Sequence, residues 1–78
     1  MPRYFFHVRD RGRMIEDREG IDLPDFEVIE QECRNAIRAV LDDEDWQAEI
    51  SPLAELHVVD ELGRTVMVFP FENVSKAD

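Results

Sequence analysis

The side chains that could do chemistry in this 78-residue chain are few, and its two histidines stand out among them. His7 lies in RYFFHVRD and His57 in ELHVVD, so each histidine comes three residues before an aspartate and shortly before a Gly-Arg pair. A general base needs a hydrogen-bond partner and an adjacent nucleophile, but the serines, Ser51 and Ser75, lie outside these stretches. A metal site would need a third converging ligand, and structural zinc sites usually include thiolates.

We therefore interpret the repeated frame as hairpin construction. An aspartate starts each turn, a glycine supplies a left-handed residue, and an arginine begins the returning strand. This interpretation predicts a positive φ at Gly12 and Gly63. It predicts no catalytic residue, no cofactor and no bound metal, and it favours a non-enzymatic protein. A small hydrolase or metal protein that uses His7 and His57 is the third-ranked alternative.

Cys33 is the single cysteine, so no disulfide can form within the chain. Its neighbours at helical spacing are apolar, which is typical of a small buried hydrophobic residue and not of a reactive thiol. The usual motifs of nucleotide-binding proteins, zinc proteases, serine hydrolases and dithiol enzymes do not occur. So short a chain also has little room for a substrate pocket of about 300 Å³ or more.

Acidic residues outnumber basic residues by 19 to 9, which gives a formal net charge of −10. This charge repels phosphate backbones and anionic lipid, so we expect neither a nucleic-acid nor a membrane partner. The run 42–45 lacks the alternating ligands and the glycine of an EF-hand loop, and it is typical of a solvated surface or a docking site for a basic protein. No apolar stretch approaches the roughly twenty residues that span a bilayer, and we expect a cytoplasmic protein.

The hydrophobic pattern predicts one helix between two hairpins. Asp25 stands at an N-cap position before an apolar stripe of helical period, so a helix should begin there and end near Asp42. One of the following aspartates could cap a second helical turn over EDWQAEI. Alternating and β-branched residues predict strands over 3–10, 13–17, 55–60 and 65–71.

The element order β-β-α-β-β predicts a single α+β domain over residues 1–78, with a tail that frays over 71–78. The first and fourth strands carry the most apolar side chains on both faces, which places them in the centre of the sheet. The predicted order is therefore 2-1-4-3, with the first and fourth strands parallel as in a β-grasp fold, and the order 2-1-3-4 stays open. In the first order, His7 and His57 lie two strand spacings apart, about 10 Å.

Four segments carry a resemblance to a known family. They are MPRYFFHVRD with Gly12 after it, EDREG with DLPD over 16–25, DELGR over 60–64, and VFPF over 68–71. The chain resembles small uncharacterised bacterial proteins, frequent in rhizobia and related alphaproteobacteria, that are treated as a domain of unknown function. It departs from them at Arg11 and in the acidic stretch 42–50. The resemblance implies a bacterial protein without known activity and carries over no catalytic residue.

The leading functional hypothesis is a non-enzymatic protein-interaction or regulatory module, whose partner is itself in a homodimer or a basic protein. One helix can cover only one face of the sheet, and Phe5, Met67, Phe69 and Phe71 are predicted to line the face opposite to Tyr4, Phe6, Val66 and Val68. The alternative is a nucleic-acid mimic or antitoxin-like inhibitor of a basic partner. The candidate interaction surface comprises Phe5, His7, Met67, Phe69, Phe71, Asp42, Asp43, Glu44 and Asp45.

Overall fold

The structure is a computed structural model that describes residues 2–74, apart from the side chain of Gln47. The chain forms a sheet with one long and one short helix. The strands are β1 (Arg3–Asp10), β2 (Arg13–Ile15), β3 (Ile21–Asp22), β4 (Glu55–Val59) and β5 (Thr65–Pro70). The helices are α1 (Phe26–Asp42) and α2 (Glu44–Glu49), and a 3-10 turn covers Phe71–Asn73.

Local sequence signals fix the ends of both helices. The Asp25 carboxylate accepts a hydrogen bond of 3.0 Å from the Val28 N–H and so caps α1 at the predicted position. Asp43 ends α1 and caps α2, because its carboxylate accepts from the backbone N–H groups of Asp45 and Trp46. The predicted bounds of the long helix are therefore confirmed, and the second helical turn, which the sequence left open, forms α2.

The sheet is antiparallel throughout and runs β2-β1-β4-β5, with β3 paired to β1. The third and fourth predicted strands are β4 and β5, so the predicted order 2-1-4-3 with a parallel pair is wrong. The alternative order 2-1-3-4 describes the four longer strands. The predicted similarity to a β-grasp fold depended on the parallel pair. It is wrong as well, because β4 lies beside β1 and β5 lies at the margin of the sheet. The α+β class is confirmed.

The core lies between α1 and one face of the sheet. Ile29, Cys33 and Ile37 project from α1 at helical spacing and are buried, and they meet the buried sheet residues Leu56 and Val58. Burial raises the pKa of the Cys33 thiol to about 11, so the thiol stays neutral at physiological pH. This confirms the prediction of a small buried hydrophobic residue.

The chain remains packed beyond the last strand. The Phe71 N–H donates to the Ala54 carbonyl oxygen at 3.0 Å, and the side chains of Phe71 and Val74 are buried in the core. Fraying was predicted to begin at residue 71, but these contacts hold 71–74 in place. The rest of that predicted tail, 75–78, lies outside the described residues. No helix within residues 2–74 is both long and apolar enough to cross a membrane.

Candidate interaction site

The two histidines are direct neighbours across the pair of strands β1 and β4. The register pairs His7 with His57, and the Cα atoms of residues paired in this way lie about 5 Å apart. The prediction of about 10 Å is wrong because β4, and not β5, lies beside β1. Both rings occupy the sheet face away from α1, which we call the open face. His57 is in turn paired with Val68 on β5.

Each histidine ring has its own polar partner. Nδ1 of His7 accepts a 3.0 Å hydrogen bond from the Asp17 N–H, so the neutral ring carries its proton on Nε2. Nε2 of His57 lies 3.4 Å from a carboxylate oxygen of Glu55. Across residues 2–74, no group of three or more His, Cys, Asp or Glu side chains lies close enough together to hold a metal ion. The pair forms a polar centre on the open face.

The Ser51 hydroxyl is already engaged as a hydrogen-bond donor. Ser51 donates its hydroxyl to one oxygen of the buried Asp10 carboxylate at 2.6 Å and its backbone N–H to the other at 3.1 Å. The hydrogen bond from the Ser51 hydroxyl is the main cause that lowers the pKa of Asp10. The contact ties the end of β1 to the segment before β4, which is a structural role that the sequence did not reveal.

The two hairpin turns share their glycines but not the use of their aspartates. Gly12 and Gly63 have φ values of 81° and 79°, which confirms the predicted left-handed residues. Asp60 starts its own turn by accepting from the backbone N–H groups of Leu62 and Arg64 at 2.9 Å. Asp10 instead bonds across the fold, so the repeated motif builds two different hairpins.

On one side of the sheet, a carboxylate accepts hydrogen bonds from backbone N–H groups. We call the side of β1 that faces β2 and β3 the covered edge, and Asp17 fills the gap between these two short strands. Its Oδ2 accepts from the Phe6 N–H at 3.1 Å, and its Oδ1 accepts from the N–H groups of Glu19 and Gly20. Burial raises the pKa of Asp17, but these three hydrogen bonds outweigh it and leave the pKa below its usual 3.8.

The opposite side of the sheet is formed by β5. We call the side of β5 away from β4 the open edge, and no strand in the described part of the chain pairs with it. The Phe71 N–H points toward β4, where it meets Ala54. Backbone directions alternate along a strand, so the N–H and C=O of Val68 and the C=O of Pro70 point away from β4. Strand β5 reads TVMVFP and carries no charge.

The predicted candidate surface is divided between two faces. Phe5 and His7 are half-buried on the open face, whereas Met67 packs against the core and Phe69 and Phe71 are buried. The placement of Phe5, Met67, Phe69 and Phe71 on one face is therefore wrong. The registers explain why, because Phe69 pairs with the buried Leu56, while Phe5 belongs to the alternate set of β1.

The acidic run surrounds the junction of the two helices. Asp42, Asp43, Glu44 and Asp45 are all exposed, although Asp43 is also used as a cap. Exposed carboxylates occur elsewhere as well, in the connection before α1 and in the β4–β5 turn. A nucleic-acid mimic would gather its carboxylates on one helical face, and this scattered arrangement does not favour it.

A mainly apolar cavity of about 300 Å³ lies where the end of α1 meets α2 and the 3-10 turn. This volume is at the lower end of the range for small-molecule sites, about 300–1,000 Å³. The cavity brings together no acid–base pair with a free nucleophile, because the Ser51 hydroxyl is bonded to Asp10. Its lining residues include Val40, Trp46, Ile50, Ser51, Phe71 and Val74.

Comparison with known proteins agrees with the resemblance seen in the sequence. A family model described as a domain of unknown function, DUF6894, matches residues 3–72, which is nearly the whole chain. No curated protein and no solved structure matches the chain. The match covers the covered edge, the histidine pair and all five strands. This chain belongs to the DUF6894 family, a domain of unknown function.

Proposed function

We propose that this protein is a small cytoplasmic protein-interaction module without enzymatic activity, and that it binds its partner through the open edge of β5. The observation that supports the proposal is an uncharged strand whose outward backbone groups meet no other strand within residues 2–74. An extended segment that adds to such an edge gains main-chain hydrogen bonds, and alternate side chains supply specificity.

The middle of the open edge lacks the features that usually protect a sheet margin. Natural edge strands are kept apart by charged side chains, by very short strands, by prolines or by bulges. Strand β5 is six residues long and carries no charged side chain. Only its ends are interrupted, by Pro70 and by a shift in the pairing opposite Val58 and Val59. The middle of the strand, around Val68, is left available.

The side chains near this edge suit a protein partner. Val68 is 44% exposed on the open face and is surrounded by half-buried residues, among them His57 and Pro70. An apolar side chain beside unpaired backbone groups gives a second strand both hydrogen bonds and apolar contact. Strand β5 itself brings no ionised group that pairing would desolvate, and a guanidinium near it, that of Arg34, lies 5.1 Å from the centre of the Phe69 ring.

Site-specific crosslinking in cells tests the proposal. A photo-crosslinking amino acid at position 68 samples the open edge, and the same amino acid at position 14 is the control, since Met14 is also 44% exposed but lies on β2. We expect one predominant protein adduct from position 68, either with the chain itself or with another protein, and none from position 14. Equal labelling at both positions, or no protein adduct at position 68, would contradict the proposal.

A further inference from the structure

We infer that the strand that pairs with the open edge is β5 of a second copy of this chain, running antiparallel to the first. The inference rests on the proposed function and names the partner. Two copies related by a two-fold axis perpendicular to the sheet would form one continuous eight-stranded path, from β2 of one copy to β2 of the other. Both α1 helices then lie on the same face of the joined sheet.

Hydrogen bonding selects the register of this pairing. The N–H and C=O of Val68 both point away from β4, so two Val68 residues placed opposite each other exchange two hydrogen bonds across the axis. Pro70 lacks an N–H but offers its outward C=O. Proline is tolerated on an edge strand where its missing donor faces outward, which is its position here.

The ends of β5 confine the pairing to a short segment centred on Val68. On one side stands Pro70, and on the other the pairing with β4 jumps from Met67 to Thr65, which leaves Val66 as an extra residue. Sliding the register by two residues would pair Val68 with the irregular Val66 or with Pro70, which has no N–H to donate, so hydrogen bonds would be lost. The strand is therefore self-complementary in one arrangement.

The covered edge stops the assembly at two copies. The outward N–H of Phe6 is bonded to Asp17, and β2 and β3 occupy the rest of that side of β1. The margins that remain are β2, which has three residues and begins with Arg13, and β3, which has two residues and ends with Asp22. Short and charged edges resist further pairing, so the open edge of one copy has only the open edge of another to join.

The contact is small, and this sets the expected affinity. Stable protein–protein interfaces usually bury about 1,200 Å² or more in total, and one strand pair with a few flanking side chains lies near or below that value. We therefore expect a dissociation constant in the micromolar range, on the order of 10–100 µM. Dimers should prevail only at higher protein concentration.

The first experiment follows mass and amide exchange over a concentration series. Sedimentation equilibrium should show the mass rise from 9.2 kDa for one chain toward twice that value. Over the same range, the Val68 amide should exchange about tenfold more slowly once about nine-tenths of the chains are paired. The amides of Met67 and Phe69 point toward β4, so their exchange should be slow at every concentration.

Charge substitutions then test the register. Val68→Lys and Val68→Asp each place two like charges beside the axis, so each variant alone should be monomeric. An equimolar mixture of the two should form one-to-one dimers, because the pair across the axis is then of opposite charge. Met14→Lys is the matched control at equal exposure and should dimerise as the unmodified chain does.

The possible outcomes separate this inference from the proposed function. A dimer whose Val68 amide still exchanges fast, or one that survives Val68→Lys, pairs through another surface and overturns the inference. A chain that stays at 9.2 kDa up to millimolar concentration overturns it as well. If position 68 then crosslinks to a different protein in cells, the proposed function stands without self-pairing. If position 68 crosslinks to no protein, both fail.

Discussion

The two edges of the sheet differ in where their backbone groups find hydrogen-bond partners. Both present backbone groups that need hydrogen-bond partners. At the covered edge, two short strands and the Asp17 carboxylate supply those partners from within the chain. At the open edge, the N–H and C=O of Val68 point outward, and no strand within residues 2–74 pairs with them.

The difference between the edges separates stability from association. Residues of the covered edge are bonded across the chain, so their substitution should lower the free energy of unfolding. Residues that face outward from β5 make few contacts in the single chain, so their substitution should change pairing and leave folding almost unaffected. A substitution at one edge that changed the property assigned to the other edge would contradict this separation.

The largest effect should come from Gly20, at the covered edge. Its φ is +71°, and a Cβ added there would lie 2.8 Å from a ring carbon of Phe5 and 2.9 Å from Cγ of Arg3. Gly20→Ala should therefore lower the free energy of unfolding by about 3 kcal/mol, through backbone strain and overpacking together. Urea denaturation monitored by the fluorescence of Trp46 measures the change.

Gly63→Ala is the matched control for this prediction. The φ of Gly63 is +79°, but nothing lies within 4 Å of an added Cβ, so only the backbone strain remains. We expect a loss of about 1 kcal/mol. Equal losses at the two glycines would show that the contact of Gly20 with Phe5 and Arg3 does not constrain the covered edge.

Removal of the Asp17 carboxylate should have the next largest effect. Asp17→Ala leaves the Phe6 N–H without its acceptor and releases the turn at Glu19 and Gly20, at a cost of about 2 kcal/mol. Asp17→Asn keeps one carbonyl oxygen as an acceptor and should lose less. Chemical denaturation of the two variants at pH 7 tests this. An unchanged midpoint for Asp17→Ala would show that the carboxylate does not stabilise the covered edge.

The pH dependence of stability should report the same carboxylate. Because the pKa of Asp17 is lowered in the folded chain, its ionised form contributes stability above the unfolded-state value near 3.8, and this is lost as pH falls through the lower folded-state pKa. The stability gap between the unmodified chain and Asp17→Asn should stay constant from neutral pH down to about pH 5 and shrink below about pH 4. Denaturation series at several pH values measure the gap, and a constant gap down to pH 2 would contradict the assignment.

Features that depend on neighbouring residues could be predicted from the sequence. The N-cap at Asp25 and the left-handed glycines Gly12 and Gly63 depend on residues within one turn of each other. The sequence left open which aspartate within 42–45 caps a second helical turn, and the structure uses Asp43. The family resemblance rested on such local segments too. Features that depend on pairing over long sequence separation were missed. The hydrogen bond from the Ser51 hydroxyl to Asp10 joins residues that are 41 positions apart, and no periodicity in the sequence predicts it.

The error in strand order shows what apolar composition can and cannot indicate. Strand β5 is apolar on both faces, and such a pattern favours burial at the centre of a sheet. The structure places β5 at the margin, where Phe69 faces the core and Val68 is 44% exposed. Apolarity on two sides is equally compatible with an edge that is buried only after association. The same error separated His7 from His57, which in fact face each other.

The smallest effect should be that of salt on pairing, and its sign distinguishes two modes of association. Each copy carries a net charge of −10, so two copies repel each other, while the strands that pair are uncharged. The Debye length falls from about 10 Å at 0.1 M salt to about 3 Å at 1 M, so added salt screens the repulsion. We expect the association constant to rise a few-fold between about 0.05 and 0.5 M sodium chloride, a gain of under about 1 kcal/mol. Sedimentation of the unmodified chain measures this, and Val68→Lys under the same conditions controls for non-specific association. Docking of the acidic run 42–45 onto the arginines of a second copy would weaken with salt. An association constant that falls with salt would therefore indicate a contact at the junction of the helices and not at the open edge of β5.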